Sequence, residues 1–490
     1  MTSRSILSRF LALSGRFGAK KRPDLATFSQ HPNLLPGFVR ESPVAMRYLE
    51  LLGLLDWAQF PERDLQRDWG RQAIPYAAFV IACLVQLDQG IVYMSRLRRY
   101  LIEHPALIWL AGFSLTPARR HPYGFDPEQS LPAQRHLARM LRTIPNATLQ
   151  FLLDSSVACL LSELAGVSEV ELPVGQCISL DTKHLIAWVK ENNPKAYVSD
   201  RYNKEKQPNG DPDCRLGCKR KHNQRTRKEE PPATPPTPTE NAQPARGVAT
   251  GEWYWGYGSG VVAVKVPGWC EFVLAELTQP FNQSDVSYFF PLMEQTERRL
   301  GFRPRYGAFD AAYDAFYVYA YFHAPDHDGF AAIPWAVKGK LTKKRTFDEK
   351  GLPLCEAGLA MPCKLTFTDR TTTLVVHERA RYACPLQYPE RTAETCPAGH
   401  AKWKKGGCVT TMATSIGARL RALLDRESEA YKNAYKQRTA TERVNSQAVD
   451  LGIERPKFRN GQAIANRNTL IYVLINLRAL RRVRAKKLGD

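Results

Sequence analysis

A chain of 490 residues is too long for one compact core, so two or three domains are expected, and 44% hydrophobic residues suffice to fill them. With 69 Lys+Arg against 48 Asp+Glu the formal charge is +21, more than solubility alone requires; it points to a polyanionic partner, nucleic acid first and an anionic membrane surface second. Eleven cysteines, without a secretory apolar region, argue against a disulfide framework and for thiols or metal ligands in a reducing compartment.

Residues 1–25 read as a basic tail: Arg4, Arg9, Arg16, Lys20, Lys21 and Arg22 stand there without an acid before Asp24. A mitochondrial transit peptide is the other reading of that composition. Residues 26–170 read as helices. Ser42-Pro43 is an N-cap followed by proline at the first helical position, and further helical patterns lie at 74–88, 92–103, 130–143 and 146–165. On the helix expected to start at Ser130, Arg135, Arg139 and Arg142 recur at i, i+4 and i+7 and share one face. That face suits DNA, as a recognition helix would; a solvated charge stripe has the same pattern. No apolar run is long enough to span a bilayer, Ile74–Val85 being the longest.

Gln176–Val189 reads as a strand with a carboxylate, Asp181, in its middle. An ionised Asp on a half-buried strand is costly unless a cation lies beside it, whereas on the wet face of an edge strand it is unremarkable. Residues 201–250 carry ten Lys/Arg between 201 and 228, then six prolines between 231 and 244, and read as a disordered insertion. Within it Cys214, Cys218 and His222 form a loose cluster without a common zinc spacing. Tyr254–Val266 and Cys270–Leu277 read as a hairpin turning at Pro267-Gly268, and Ser284 or Asp285 as the cap of a helix that Gly301 stops. Tyr306–Phe309 is a short strand delivering Asp310, with helix 311–323 and strand 329–335 after it.

Residues 346–408 read as a small Cys-rich β insertion, with strands at 364–368 and 372–376. Cys355, Cys363, Cys384, Cys396, His400 and Cys408 are more than enough for a structural Zn²⁺ site, although no CxxC knuckle is present. Residues 409–490 are helical again and end in six cations, Arg478, Arg481, Arg482, Arg484, Lys486 and Lys487, placed for a helix C-terminus or for phosphates. Before them, Tyr435, Arg438 and Glu442 are spaced three and four apart and project from one helix face, which Asn445 continues.

The order of these elements is that of an RNase H-like α/β domain, a mixed sheet with flanking helices. Here it spans 171–345 and 409–490, follows an all-α region and is interrupted by two insertions. In that architecture Asp181, Asp310 and Glu442 would converge. Three carboxylates without histidine suit Mg²⁺, with Mn²⁺ as a substitute, and two such ions would clamp a phosphodiester in line.

The stretches Ile178-Ser-Leu-Asp181-Thr-Lys, Gly307-Ala-Phe-Asp310-Ala-Ala-Tyr313-Asp and Tyr435-Lys-Gln-Arg438-Thr-Ala-Thr-Glu442-Arg-Val-Asn resemble the signature blocks of bacterial insertion-sequence DDE transposases. They are similar to the type with a Tyr-x2-Arg-x3-Glu element preceded by an insertion. The resemblance covers about 170–480 and implies metal-dependent cutting at inverted-repeat ends and joining to target DNA. It also implies Tyr435, Arg438 and Asn445 near the substrate, double-stranded DNA as partner, a homodimer on DNA, and a cytoplasmic, nucleoid-associated location without a membrane. An RNase H-like nuclease without strand transfer and a non-catalytic DNA-binding descendant are the alternatives. Three departures stand out. The family's Lys seven residues after the Glu falls on Val449, with Arg443 or Lys457 as substitutes; Asp181 and Asp310 are widely separated; and Asp314 rivals Asp310. The cluster Trp253, Tyr254, Trp255 and Tyr257 offers stacking surfaces, or ordinary strand packing.

Overall fold

The computed structural model describes residues 25–65, 73–165, 167, 173–220, 251–323, 329–336, 345–370 and 374–489. The tail at 1–24, His222 and the Pro-rich stretch lie outside them. The principal helices are α1 (Pro43–Leu52), α2 (Tyr76–Asp88), α3 (Met94–Glu103), α4 (Gln134–Thr143), α5 (Asn146–Leu164), α6 (Phe289–Leu300), α7 (Phe316–Phe322), α8 (Ile416–Leu423), α9 (Glu429–Lys436), α10 (Thr439–Asp450) and α11 (Gly461–Leu488). The strands are β1 (Cys177–Ile186), β2 (Arg215–Arg220), β3 (Gly251–Val266), β4 (Cys270–Pro280), β5 (Tyr306–Phe309), β6 (Phe330–Ala332), β7 (Cys363–Asp369), β8 (His377–Ala383) and β9 (Val409–Ala413).

The chain is a mixed α/β protein. β1 lies inside a six-stranded sheet, antiparallel to β3 and parallel to β5, with β6 parallel beyond β5. β2 pairs with the first part of the long strand β3 (Gly251–Gly256) and β4 with the rest (Tyr257–Val266). Residues 201–220 are thus not the start of a disordered insertion: Asp211 and Cys214 are fully buried, and Arg215–Arg220 adds a strand. The compositional signal there was charge, but the alternation of Leu216 and Cys218 with polar neighbours lets a basic strand line an edge.

The helical expectations for the N-terminal region hold in type and shift at their ends. Ser42 caps α1, accepting from Ala45 N at 3.3 Å. Ser130 caps nothing: Asp126 caps a short turn, 127–130, and Pro132 keeps the chain extended until α4 begins at Gln134. The helix expected at 311–323 breaks at Asp314–Ala315, and the second strand of the Cys-rich hairpin is His377–Ala383; of the expected 372–376, residues 372 and 373 lie outside the described residues and 374–376 are not strand.

Helix α11 joins the parts. One core cluster contains residues of α1, α2 and α4, of β1 and β3, and of α10 and α11. Its long axis is lined with buried Asn466, Asn468, Thr469 and Asn476, which would be intolerable without partners. Asn476 acts as a substitute strand on β4: its Oδ1 accepts from Val273 N at 2.7 Å and its Nδ2 donates to Val273 O at 2.9 Å and Ser156 Oγ at 3.0 Å. The cations at the end of α11 are largely spent inside the molecule. Arg478 pairs with Asp88 at 2.7 Å, Arg481 with Glu50 at 3.5 Å, and Arg484 and Lys487 with Glu163 at 2.7 and 3.1 Å.

Among the described residues one helix, α5, is long and apolar enough by composition to cross a membrane, contrary to the sequence expectation. It packs on α11 and β4, burying Leu149, Leu152, Leu153, Val157, Leu160 and Leu164, and carries Asp154 bonded to Arg298 and Arg299.

Replacing Asn476 by Ala strands both polar groups of Val273 in a dry place. It is expected to cost about 2–3 kcal/mol of stability, read as a lower urea midpoint with an unchanged slope.

Candidate functional site

The parallel pairing of β1 and β5 places the first two acids. Leu180 is opposite Phe309, and each strand's next residue is an aspartate, Asp181 and Asp310. In a parallel pair in register, facing residues project to the same side of the sheet from strands about 4.8 Å apart. Because β1 is flanked on both sides, Asp181 is not on an edge strand; it is half-buried at the carboxyl end of the parallel pair. Thr182 N donates to Asp181 Oδ1 at 2.9 Å, and Ala312 N donates to Asp310 Oδ1 at 2.9 Å.

Helix α10 closes the site from the other side. Ala440, Thr441, Val444 and Ala448 are buried, and the helix packs on β1, β3 and β4. Asn445 donates to Asp181 Oδ2 at 2.9 Å. Glu442 lies one turn earlier on the same face, with its carboxylate on Arg438 rather than on the aspartates. The face predicted for Tyr435, Arg438, Glu442 and Asn445 does form, although α9 and α10 are separate helices joined by a tight step at Gln437–Arg438. The step keeps Tyr435 on the same side: its ring lies 5.8 Å from the Arg438 guanidinium and stacks on Tyr431 at 5.8 Å.

Burial pushes the Asp181 carboxyl up to about 6; Asp310 and Glu442 add to the rise, while the Thr182 N–H and Arg438 oppose it. Burial also raises Asp310, against Ala312 N–H and Arg438. A further acid belongs to the cluster. Asp285 is raised to about 6 by burial and then by the charges of Asp310 and Asp181, against the Thr182 hydroxyl. Asp285 begins a 3₁₀ turn, Asp285–Tyr288, instead of capping a helix. The turn approaches the sheet because β3 has Gly258 and Gly260 there: a Cβ would lie 2.4 Å from Tyr288 Oη at the first and 2.5 Å from its ring at the second. Nothing in the sequence separates Asp285 from an ordinary capping aspartate.

Asp314 is not a rival to Asp310. Its buried carboxylate is engaged by Arg421, by Tyr319 Oη at 2.9 Å and by Ala336 N at 3.0 Å. Although burial opposes it, the Arg421 bond leaves Asp314 below the usual carboxylate range. Val449 packs against the core, Arg443 is paired with Glu271, and Lys457 lies 5.7 Å from the exposed ring of Trp188. The aromatic cluster is packing: Trp255 donates to Arg201 O at 2.7 Å, Tyr257 to Asp211 Oδ1 at 2.7 Å, and Tyr254 stacks on Phe281 at 4.6 Å. Arg135, Arg139 and Arg142 are exposed on α4, and among the described residues none has a carboxylate partner.

In the Cys-rich module, Cys355, Cys384 and Cys408 are neighbours, and burial followed by the charges of the other two raises Cys408 to about 12. Cys363 is exposed and turned to Leu365 O at 3.7 Å; Cys396 is half-buried, and His400 Nδ1 accepts from Lys402 N at 3.1 Å. Among the described residues no three His, Cys, Asp or Glu side chains are closed to the spacing of one metal shell, in this module or at the aspartates. The module instead has a small core of Met361, Ala380, Tyr382 and Met412. Cys214 is buried and donates to Asp211 O at 3.2 Å.

Neither the protein-family models nor the curated proteins compared with this chain give a match.

A buried carboxylate held above its unfolded pKa binds protons more tightly in the native state, so it favours folding at low pH and opposes it as pH rises through the native value. With Asp181 at about 6, Asp181→Asn is expected to stabilise the metal-free protein at pH 7, by at most about 3 kcal/mol. The gain should fade between pH 6 and 4, as chemical denaturation in EDTA across that range would report.

Proposed function

We propose that the protein is a DDE transposase with an RNase H-like catalytic domain, cutting the ends of a mobile element and joining them to target DNA. The observation that carries this reading is the pairing of Leu180 with Phe309, each followed by an aspartate, Asp181 and Asp310, with Asn445 of the Arg438–Glu442–Asn445 face bonded to Asp181. Two desolvated acids on adjacent strands repel unless a cation lies between them, and oxygen donors without histidine select a hard one. Asp181 and Asp310 fit as ligands of Mg²⁺ or Mn²⁺, and Glu442 fits as the third once its carboxylate leaves Arg438. Bound there, the ions supply Lewis-acid activation of the nucleophile and charge neutralisation at the leaving 3′-oxygen.

The chain's own groups supply the rest. Asn445 fixes the Asp181 carboxylate, leaving Oδ1 shared with Thr182 N–H and its outer lone pairs open. Arg438 is placed to take a non-bridging phosphate oxygen, with Tyr435 beside it. Arg135, Arg139 and Arg142, without carboxylate partners among the described residues, give a basic face for the phosphates of an element end. DNA as partner also accounts for the net charge of +21.

Asp181→Ala and Asp310→Ala are each expected to reduce cleavage of donor DNA bearing the element's inverted repeats by at least about 10³-fold in Mg²⁺, with end binding retained in a gel shift. Nicking by Asp181→Ala at the wild-type rate would overturn the assignment. Free ends without joined donor–target molecules in the wild-type reaction would make the protein a nuclease instead.

Replacing Arg135, Arg139 and Arg142 together by Ala should weaken end binding and make the log–log salt dependence shallower by up to about 2.7. An unchanged salt slope would show that α4 does not touch DNA.

A further inference from the structure

In the DNA-free protein the acidic site already has a cation, and it is a side chain. Arg438 sits at the step between α9 and α10 and forms an ion pair with Glu442, four residues on. The same guanidinium is close enough to lower both Asp181 and Asp310 against their burial. Its charge thus bears on all three acids that a divalent ion would need, and its ion pair is with Glu442. Two features let it leave. The pair is open to solvent, with side chains 28% and 49% exposed, and exposed i,i+4 pairs are weak. The Tyr435 ring already faces the guanidinium at 5.8 Å, a contact that does not depend on the bond to Glu442.

We propose that Arg438 is a gate coupling DNA binding to metal loading: on the free protein it holds Glu442 and screens the aspartates, and a backbone phosphate draws it off so that Glu442 can complete the site. The proposal rests on reading the aspartate pair as a metal site for DNA chemistry. A phosphate competes well because it accepts two parallel bonds from one guanidinium and carries a full charge. The consequence is that the free protein binds divalent ions poorly and cannot cut without DNA in place. Coupling of this kind is reciprocal, so metal should also tighten the grip on a phosphate at the site.

The test is Mn²⁺ binding to the full chain without DNA, followed by the electron paramagnetic resonance signal of free Mn²⁺ and by calorimetry. Arg438→Gln is expected to bind Mn²⁺ about fivefold to tenfold tighter than wild type, and a duplex DNA added to wild type should produce a gain of similar size. Arg438→Lys keeps the charge and should stay near wild type. Asp181→Asn should lose binding in both backgrounds. If Arg438→Gln, with an unchanged thermal midpoint, binds Mn²⁺ no tighter than wild type while Asp181→Asn abolishes binding, the gate is wrong and the metal site stands. If Asp181→Asn binds Mn²⁺ as well as wild type does, the site reading itself fails, and the gate with it.

Discussion

The pairing of two parallel strands in one register is the constraint on which the site depends. Leu180 opposite Phe309 forces the following aspartates to stand side by side in a half-dry place. Two like charges separated by a generic strand spacing of about 5 Å would repel by about 3 kcal/mol even at an effective dielectric of about 20. The exposed pair of Arg438 with Glu442, worth about 0.5 kcal/mol, does not offset that. Hydrogen bonds from Thr182 N, Ala312 N and Asn445 hold the carboxylates in place without neutralising them. On the proposed reading, a divalent cation would supply the charge that offsets it. Asp285, on the turn whose Tyr288 packs on Gly258 and Gly260, adds negative potential to the same point.

Around that point the fold is tightly packed on one side and open to solvent on the other. β1 is locked between β3 and β5, and α11 ties the sheet to the N-terminal helices through buried asparagines with specific partners. Glu442 and Arg438, by contrast, are on the solvent side of α10, where a side chain can change partner without disturbing the helix. The strong positive charge divides along the same lines. Four α11 cations serve internal ion pairs, while the α4 arginines face outward without carboxylate partners among the described residues.

Much of this was legible from residue order. Strand periodicity around Asp181, the short apolar run ending at Asp310, and the i, i+3, i+4 spacing of Tyr435, Arg438, Glu442 and Asn445 are local signals, and local signals survive without knowledge of the fold. The failures have a common cause. Composition marked 201–220 as an arm because charge hides a strand that borrows its partner from β3. The α11 cations looked available because Asp88, Glu50 and Glu163 are hundreds of residues away in the chain. Asp314 looked equivalent to Asp310 until Arg421 was found on it.

The sequence by itself determined most of the helices and strands, β2 excepted, and which acids and cations lie near their ends, because backbone preference and side-chain period act over a few residues. Only the tertiary structure decided which acids share a site, which cations are free, and that Asp285 belongs with Asp181 and Asp310. Burial and charge pairing depend on distances between segments far apart in the chain, and those distances come into existence only when the sheet and α11 have packed.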